Sequence, residues 1–362
     1  MTSSDPVRYG LIGTGMMGTE HLWNLQHVPG AEITAVADPD PGMRDWIVEA
    51  AGEGAAFERF ADHRDLLASG LVDAVVVASP NMTHHDVMLD VLATPGMHVL
   101  VEKPLCTTVA DCRDVIAAAD GHDGVVWVGL EYRYMPPVAR LVRAVHDGHL
   151  GTLHMVAIRE HRYPFLRKVG DWNRFNRNTG GTLVEKCCHF FDLMNHLTRD
   201  RPARVLASGA QDVNHLDEVY DGEVPDVLDN AFVIVDYEGG ARAMLDLCMF
   251  ADASVNEHEV SAVGDAGKAE ALLPEGVFRF GERARTRAGL SSEQVHDDRV
   301  AYEGFHHGSS YLEHLDFLEA VRSGGRAAVD LEDGLLAVAV GVAAHRSIDE
   351  GRPVTLDEVL TG

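Results

Sequence analysis

The sequence predicts two domains of different class: an α/β domain built on a doubly wound parallel sheet, and an α+β domain with a large, mostly antiparallel open sheet. Strands alternate with helices in the first third of the chain, and a glycine-rich turn separates the first strand from the first helix. After about residue 129 the alternation stops. We therefore assign residues 1–128 to the first domain and 129–362 to the second, with the last helix packing back toward the first domain.

Short apolar runs predict the strands of the first domain. They cover residues 7–13, 32–38, 73–79, 98–103 and 125–130. Segments with a helical pattern lie between them. Strands that alternate with helices in this way form a parallel sheet that is covered on both faces.

The turn after the first predicted strand has the pattern G-x-G-x-x-G. At a strand-to-helix turn this pattern allows the backbone to approach a pyrophosphate and to present helix N–H groups to it. Asp38 ends the second strand, where a carboxylate accepts hydrogen bonds from both ribose hydroxyls and repels a 2′-phosphate. NAD is therefore favoured over NADP. The residues expected to contact the cofactor here are Gly13, Thr14, Gly15, Met16, Met17, Gly18 and Asp38.

Strand patterns of the second domain cover residues 152–161, 230–237, 241–247, 257–263 and 268–273. Glycine-bearing turns at 238–240 and 264–267 join two pairs of these strands, which predicts antiparallel pairing. Helical patterns cover residues 134–145, 181–197, 310–322 and 333–349. One face of so large a sheet would be uncovered, and we expect it to form a subunit interface.

The composition excludes several classes of partner. The net charge of −27 argues against binding to nucleic acid or to anionic membranes. The N-terminus lacks a signal-peptide pattern, and the apolar stretch 335–344 is too short to span a bilayer. Five cysteines without C-x-x-C spacing suggest reduced thiols. These features predict a cytoplasmic protein.

The stretch TLVEKCCHFFDLM, residues 182–194, contains several chemically active side chains. On a continuous helix Glu185, His189 and Asp192 share a face, since each residue advances by about 100°. Cys187 and Cys188 point away from that face, so the thiolates and His189 cannot converge on one zinc ion. We therefore expect no metal site, and we expect the cysteines to pack as small apolar side chains.

Acid–base chemistry is the remaining role for this stretch. The oxidation of a secondary alcohol requires a proton acceptor, and His189 suits that task near neutral pH. Glu185 can pair with the imidazolium or hold the ring in its productive tautomer. Lys103 follows a parallel strand, at the edge where such sheets bind ligands, and can stabilise an alkoxide. Lys186 is expected to form a salt bridge or to face solvent.

Several motifs together resemble the glucose-fructose oxidoreductase / inositol dehydrogenase / rhizopine catabolism (Gfo/Idh/MocA) family. The combination of Glu-Lys-Pro with an acidic residue four positions before a histidine is the most specific of them. The resemblance rests on Gly13, Gly15 and Gly18; Ser79-Pro80-Asn81 and His84; Glu102-Lys103-Pro104; Gly129, Tyr132-Arg133-Tyr134 and Pro136; Gly180-Gly181, Glu185, His189 and Asp192; and Ser347 with Gly351-Arg352-Pro353-Val354.

The resemblance implies an NAD(P)-binding Rossmann domain followed by a mixed open sheet. It also implies a sugar or cyclic polyol as substrate, and a homodimer or homotetramer as the assembly. The family's lysine, acidic residue and histidine match Lys103, Glu185 and His189, although many members have Asp where this chain has Glu. Further cofactor contacts implied by the resemblance are Ser79, Pro80, Asn81, His84, Glu102 and Lys103.

Substrate contacts are expected from Lys103 in the first domain and from several residues of the second domain. Glu131-Tyr132-Arg133 stands where many relatives carry Asn-Arg-Arg, which suggests a different substrate or cofactor contact. The segment from 160 to 176 is dense in polar and aromatic groups, as sugar sites typically are. The expected substrate-binding residues are Lys103, Tyr132, Arg133, His161, Trp172, Asn173, Glu185 and His189.

These observations predict an NAD-dependent oxidoreductase that acts on a secondary hydroxyl of a sugar or of a cyclic polyol such as an inositol. Two alternatives stay open at this point. One is a glycosidase that uses tightly held NAD for transient oxidation, and the other is a non-enzymatic dinucleotide sensor that binds a protein partner.

Overall fold

The computed structural model describes residues 5–361, in which fifteen strands and twelve α-helices occur. The strands are β1 (Val7–Ile12), β2 (Ala31–Ala37), β3 (Glu58–Phe60), β4 (Ala74–Val77), β5 (His98–Glu102), β6 (Val126–Gly129), β7 (Leu153–His161), β8 (Pro202–Ala210), β9 (Asn230–Tyr237), β10 (Arg242–Cys248), β11 (His258–Gly264), β12 (Gly267–Leu273), β13 (Val277–Glu282), β14 (Leu290–Gln294) and β15 (Val354–Thr355). The helices are α1 (Met16–His27), α2 (Pro41–Ala51), α3 (His63–Ala68), α4 (His84–Leu92), α5 (Val109–Ala118), α6 (Pro136–His146), α7 (Asn176–Thr179), α8 (Thr182–Glu185), α9 (Cys188–Thr198), α10 (Ser309–Ser323), α11 (Leu331–Glu350) and α12 (Leu356–Leu360).

The chain divides into two compact units. The first unit contains the described residues up to 131, together with 168–172 and 298–335. The second unit contains residues 132–167, 173–297 and 336–361. The main crossing between the units thus lies three residues after the predicted boundary, and a later segment of the chain, including α10, returns to the first unit.

The first unit is built on a parallel sheet of six strands in the order β3-β2-β1-β4-β5-β6. All four residues of β4 are buried, as expected for a strand in a parallel sheet with both faces covered. The strand order reverses between β1 and β4. In open sheets of this kind, ligands bind in the crevice at that reversal, beyond the carboxyl ends of the strands. The predicted doubly wound sheet is confirmed.

The second unit is built on a sheet of nine strands in the order β14-β13-β12-β11-β7-β10-β9-β8-β15. Neighbouring strands are antiparallel except for β7 and β10, which are parallel. Both predicted glycine-bearing turns join antiparallel neighbours, β9 to β10 and β11 to β12. The large, mostly antiparallel sheet predicted from the sequence is confirmed.

The continuous helix predicted over residues 181–197 is wrong, because the chain forms two helices there. α8 ends at Glu185 and α9 begins at Cys188. The amides of Lys186 and Cys187 both donate to the carbonyl of Thr182, at 3.0 and 3.3 Å, so the regular hydrogen-bond ladder is interrupted. A rotation of 100° per residue therefore does not carry across the break.

The described residues contain no helix long and apolar enough to cross a membrane. Four of the five cysteines are buried. Cys187 and Cys188 are completely enclosed, which agrees with the prediction that they pack as small apolar side chains.

Candidate active site

The glycine-rich turn lies at the point where the strand order of the first unit reverses. Gly13 has φ +89°, and a Cβ at that position would lie 2.6 Å from the amide nitrogen of Ser79, in the loop after β4. A Cβ on Gly18 would lie 2.1 Å from the carbonyl oxygen of Gly13. A Cβ on Gly15 would meet no protein atom within 4 Å. Two of the three glycines are thus required by the fold, whereas Gly15 borders open space.

That open space suits a pyrophosphate. Gly15 is the N-cap of α1, and no side chain caps this helix terminus. Met16 and Met17 begin the helix, so free N–H groups and the positive end of the helix dipole face the same space. A dinucleotide phosphate would satisfy these donors. The residues present therefore fit NAD.

Asp38 lies immediately after β2 and is held by the glycine-rich turn. Its Oδ2 accepts hydrogen bonds from the amide of Thr14 at 2.8 Å and from the Thr14 hydroxyl at 3.1 Å. Its Oδ1 accepts one from the amide of Asp40 at 2.9 Å. The Arg44 guanidinium donates to the backbone carbonyl of Asp38. The carboxylate is thus fixed at the sheet edge, as the ribose contact predicted for Asp38 requires.

His84 joins the loops that follow β4 and β5. Its imidazole is completely buried between the carbonyl oxygens of Pro104, at 2.8 Å, and Ser79, at 3.0 Å. Burial lowers the pKa of His84. Each ring nitrogen faces a carbonyl of one of these loops, and the neutral ring donates a hydrogen bond to one of the two. A direct cofactor contact for His84 stays a prediction. The neighbouring predicted residues Pro80 and Asn81 lie in the segment between β4 and α4, and Asn81 is buried.

Glu102 ends β5 and is anchored inside the first unit. One carboxylate oxygen faces His21 Nε2 at 2.9 Å, and the other accepts a hydrogen bond from the amide of Lys103 at 3.1 Å. His21 Nδ1 in turn faces His314 Nε2 at 2.9 Å. Burial alone would raise the pKa of Glu102, but His21 and Lys103 hold it well below its usual range. These contacts fix the backbone at Lys103; the ribose contact predicted for Glu102 stays a prediction.

No local sequence pattern indicates the two histidines that support Glu102. His21 lies on α1 and His314 on α10, 293 positions apart. Burial holds the pKa of His314 well below its ordinary value. A neutral His314 can donate from Nε2 to His21, which leaves His21 Nε2–H to donate to an ionised Glu102. Only the fold brings these three side chains into line.

In the second unit, the predicted catalytic residues flank the helix break. Glu185 is the last residue of α8, and His189 lies in the first turn of α9. Both side chains are buried, with 5% and 2% exposed. The His189 imidazole stacks face to face on the Tyr132 ring, with centroids 4.0 Å apart and planes 7° apart. Tyr132 was a predicted substrate contact, and the structure places it directly against the predicted base.

Asp192 has a different neighbour. It forms a buried, two-pronged ion pair with Arg133, in which Arg133 Nε donates to Asp192 Oδ2 at 2.7 Å. Pairs of this geometry combine charge with directional hydrogen bonds. The pair ties the Glu131–Tyr134 turn to α9, and substrate binding by Arg133 stays a prediction.

The remaining predicted substrate contacts are dispersed. His161 ends β7, with Nε2 3.0 Å from Asp246. Asn173 is completely buried and donates to the carbonyl of Leu166 at 2.9 Å, so its side chain braces its own loop. Trp172 belongs to the first unit and is half-buried. The structure does not bring His161 and Asn173 into one hydrogen-bonded set.

A buried ionic cluster adjoins His189, and no sequence pattern predicted that Glu160 and His258 belong to it. Glu160 is completely buried and faces Lys186 Nζ at 3.1 Å and His258 Nδ1. Lys186 Nζ also donates to the Tyr132 hydroxyl at 2.7 Å. Burial alone would raise the pKa of Glu160, but His258 and Lys186 lower it to about 2. The salt bridge expected for Lys186 is thus present. We call Tyr132, Glu160, Lys186, His189 and His258 the Tyr132 cluster.

Among the described residues, one group of side chains has metal-ligand geometry. His85, Asp111 and Asp114, on α4 and α5, have possible ligand atoms within 4.8 Å of one another. His85 already faces Asp86 at 2.8 Å and Asp114 at 3.6 Å. Exposed groups of this kind are common without an ion. The expectation of no metal site stays a prediction.

Comparison with known proteins gives full-length matches. The description "Oxidoreductase family, NAD-binding Rossmann fold" matches residues 7–130, and "Oxidoreductase family, C-terminal alpha/beta domain" matches residues 142–356. The chain is 28% identical to the myo-inositol 2-dehydrogenase of Thermotoga maritima over 360 residues, which cover 98% of this chain and 100% of that protein. It is 26% identical to the scyllo-inositol 2-dehydrogenase (NAD(+)) of Bacillus subtilis over 360 residues, covering 97% and 96%. The crystal structure of a probable dehydrogenase from Thermotoga maritima matches with a TM-score of 0.77 at 26% identity, covering 98% and 100%.

Proposed function

Because the chain belongs to the Gfo/Idh/MocA family of NAD-binding oxidoreductases, we propose that it is an NAD-dependent dehydrogenase acting on a secondary hydroxyl of a cyclic polyol or sugar. An inositol is the first substrate to test, since the full-length relatives named above carry inositol dehydrogenase names. The observation that carries the proposal is the open space at Gly15, in a chain that also buries His189 four residues after Glu185.

The proposed chemistry divides between a cofactor and three side chains. The glycine-rich turn and Asp38 would hold NAD, which would supply the acceptor for the hydride that leaves the carbinol carbon. His189 accepts the hydroxyl proton, a contribution that is typically worth about 10²- to 10⁴-fold in rate. Glu185 stabilises the resulting imidazolium. Lys103 stabilises the negative charge that develops on the oxygen as the hydride leaves.

The test is a spectroscopic screen of NAD reduction with inositols, aldoses and anhydrosugars. The parent protein should reduce NAD with at least one cyclic polyol or sugar. His189→Asn should lose nearly all turnover while it still binds NAD. His196→Asn is the matched control, because His196 lies in the last turn of the same helix and has no role in the proposed reaction.

Three results would contradict the proposal. Failure of every polyol and sugar in the screen would remove its basis. Cleavage of an aryl glycoside without net NADH would indicate transient oxidation by a glycosidase instead. Unchanged function in both Lys103→Ala and His189→Asn would indicate a dinucleotide sensor.

We also propose that the protein self-associates through the exposed face of the nine-stranded sheet. β9 alternates buried and exposed residues, and its outward side chains include Phe232, which is 63% exposed, and Ile234. Ile234 lies directly between Leu206 on β8 and Met244 on β10, both also exposed. A contiguous apolar strip of this kind marks an interaction surface.

Light scattering tests the assembly. Ile234→Glu should lower the molar mass to that of a smaller species, because a charge in the centre of the strip opposes its burial. Val255→Glu is the control, since Val255 is an exposed apolar residue outside the strands of the sheet. A monomeric parent protein would contradict this proposal.

A further inference from the structure

The Tyr132 ring packs against one face of the His189 imidazole. The two ring planes are 7° from parallel, with a centroid separation of 4.0 Å. Phe190 and His258 approach the Tyr132 ring at steep angles, with centroids 5.6 and 5.1 Å away. The tyrosine ring is therefore packed from several directions and is only 2% exposed.

The tyrosine is also held at its hydroxyl. Lys186 donates to that oxygen at 2.7 Å, and Glu160 holds the Lys186 ammonium at 3.1 Å. Glu160 comes from β7, and its second oxygen faces His258 on β11. Glu160 from β7 and the Tyr132 hydroxyl thus meet at one buried lysine, and His258 on β11 holds Glu160 from its other side.

The burial of such a cluster costs desolvation free energy. Charged groups in an interior lose their hydration, and well-packed apolar residues of similar size often give equal or greater stability. Buried polar networks are retained where they specify one arrangement of side chains. The side chain that this network specifies is the ring stacked on His189.

We propose that Tyr132 is the positioning residue for His189: it fixes the plane of the imidazole, and Lys186, anchored by Glu160, fixes Tyr132. This inference rests on the proposed role of His189 as general base. The χ2 torsion of a histidine has broad wells, so the ring can rotate unless packing prevents it. A base accepts a proton only along the lone pair of its ring nitrogen, in the plane of the ring. The stacked tyrosine therefore keeps that lone pair directed at one point.

Variants of Tyr132 separate positioning from simple packing. Tyr132→Phe keeps the ring and removes the hydroxyl, whereas Tyr132→Leu removes the ring. Misplacement of a catalytic group by about 1 Å costs about 10²-fold in rate. We expect Tyr132→Leu to lower kcat by about tenfold to a hundredfold with the KM for NAD unchanged. Tyr132→Phe keeps the stacked ring but loses the hydroxyl that Lys186 holds, so Tyr132→Phe and Lys186→Met should each lower kcat by less than Tyr132→Leu does.

The control removes an equally large ring elsewhere in the second unit. Tyr237 is buried on β9, and its hydroxyl donates to Asn195 at 2.8 Å. Tyr237→Leu should destabilise the fold while kcat per folded molecule stays near that of the parent. If Tyr132→Leu behaves in the same way as Tyr237→Leu, the role of Tyr132 is packing alone and the proposal is overturned.

A second readout does not depend on activity. In a protein labelled at histidine, the ring current of Tyr132 should shift the His189 ring protons upfield in the parent and in Tyr132→Phe, and this shift should vanish in Tyr132→Leu. A parent protein that shows the shift but oxidises no polyol would defeat the proposed function while confirming the stack. A parent that oxidises a polyol with no such shift would defeat the positioning role alone.

Discussion

Replacement of Gly15 by alanine separates cofactor binding from folding. Gly15 has φ −68° and ψ −156°, an extended conformation that alanine adopts without strain, and its new methyl group would meet no protein atom within 4 Å. Alanine has fewer backbone conformations than glycine in the unfolded chain, so the substitution alone would raise the free energy of unfolding by about 0.4–1 kcal/mol. Glycine is the better N-cap of the two, which offsets a similar amount. The free energy of unfolding should therefore change by less than about 1 kcal/mol.

The same methyl group should be costly for NAD. It enters the space where the backbone must approach the pyrophosphate, and it weakens the hydrogen bonds that the start of α1 donates. Hydrogen bonds to charged groups contribute about 1.5–3 kcal/mol each. The loss of one corresponds to a Kd about tenfold to a hundredfold higher, because about 1.4 kcal/mol is a factor of ten.

Calorimetric titration with NAD measures the Kd, and urea unfolding measures the free energy of unfolding. Gly18→Ala is the contrasting variant, because its Cβ would lie 2.1 Å from a backbone oxygen and should destabilise the fold by about 1–3 kcal/mol. If Gly15→Ala binds NAD as tightly as the parent, the cofactor does not lie over this turn. If it unfolds as readily as Gly18→Ala, the turn is a structural element and its open space has no role in binding.

Three further predictions follow from other parts of the two units. Asp38→Ser should raise the Kd for NAD and lower the Kd for NADP, since the carboxylate that repels a 2′-phosphate is removed. Titration with both dinucleotides measures the two Kd values. An unchanged preference for NAD would contradict the assignment of Asp38. Glu160 has its folded pKa lowered to about 2, so the folded state binds fewer protons than the unfolded state below about pH 4.5. The resulting stabilisation is complete above that pH and should decline by about 2 kcal/mol between pH 5 and pH 3. Glu102 contributes a similar decline in both proteins, so urea unfolding should show a loss of stability that is smaller by about 2 kcal/mol in Glu160→Gln than in the parent. Equal losses in the two proteins would refute the assignment. Asp192→Ala leaves the Arg133 charge buried without its carboxylate partner and should destabilise the fold by about 3–5 kcal/mol; a denaturation midpoint equal to that of the parent would show that the pair has no stabilising role.

The sequence predicted those parts of the fold whose signal is local. The strands predicted for the first unit lie in short apolar runs, and each predicted strand overlaps an observed one. β3 was not predicted, because it is three residues long and mostly exposed. β14, with the sequence LSSEQ, is exposed throughout, so it has no alternation of buried and exposed residues. β14 belongs to the sheet through its antiparallel pairing with β13, which no local pattern indicates.

The candidate site shows the same division. Several of the predicted site residues lie in short motifs that can be recognised along the sequence. These are the glycine turn, Asp38, Lys103, Glu185 and His189. The Tyr132 cluster joins residues from four distant segments, and Glu160 and His258 are 98 positions apart. No local pattern encodes such a cluster. Lys186, which lies at the break in the predicted helix, contacts both Glu160 and Tyr132 of this cluster.

Transfer of deuterium from substrate to cofactor tests the central claim most directly. A cyclic polyol that the screen identifies would be deuterated at its carbinol carbons and incubated with the protein and NAD in ordinary water. The account predicts NADH that carries one deuterium by mass spectrometry, formed by the parent protein and not by His189→Asn. NADH without deuterium, or label lost to water while no NADH accumulates, would contradict a direct hydride transfer.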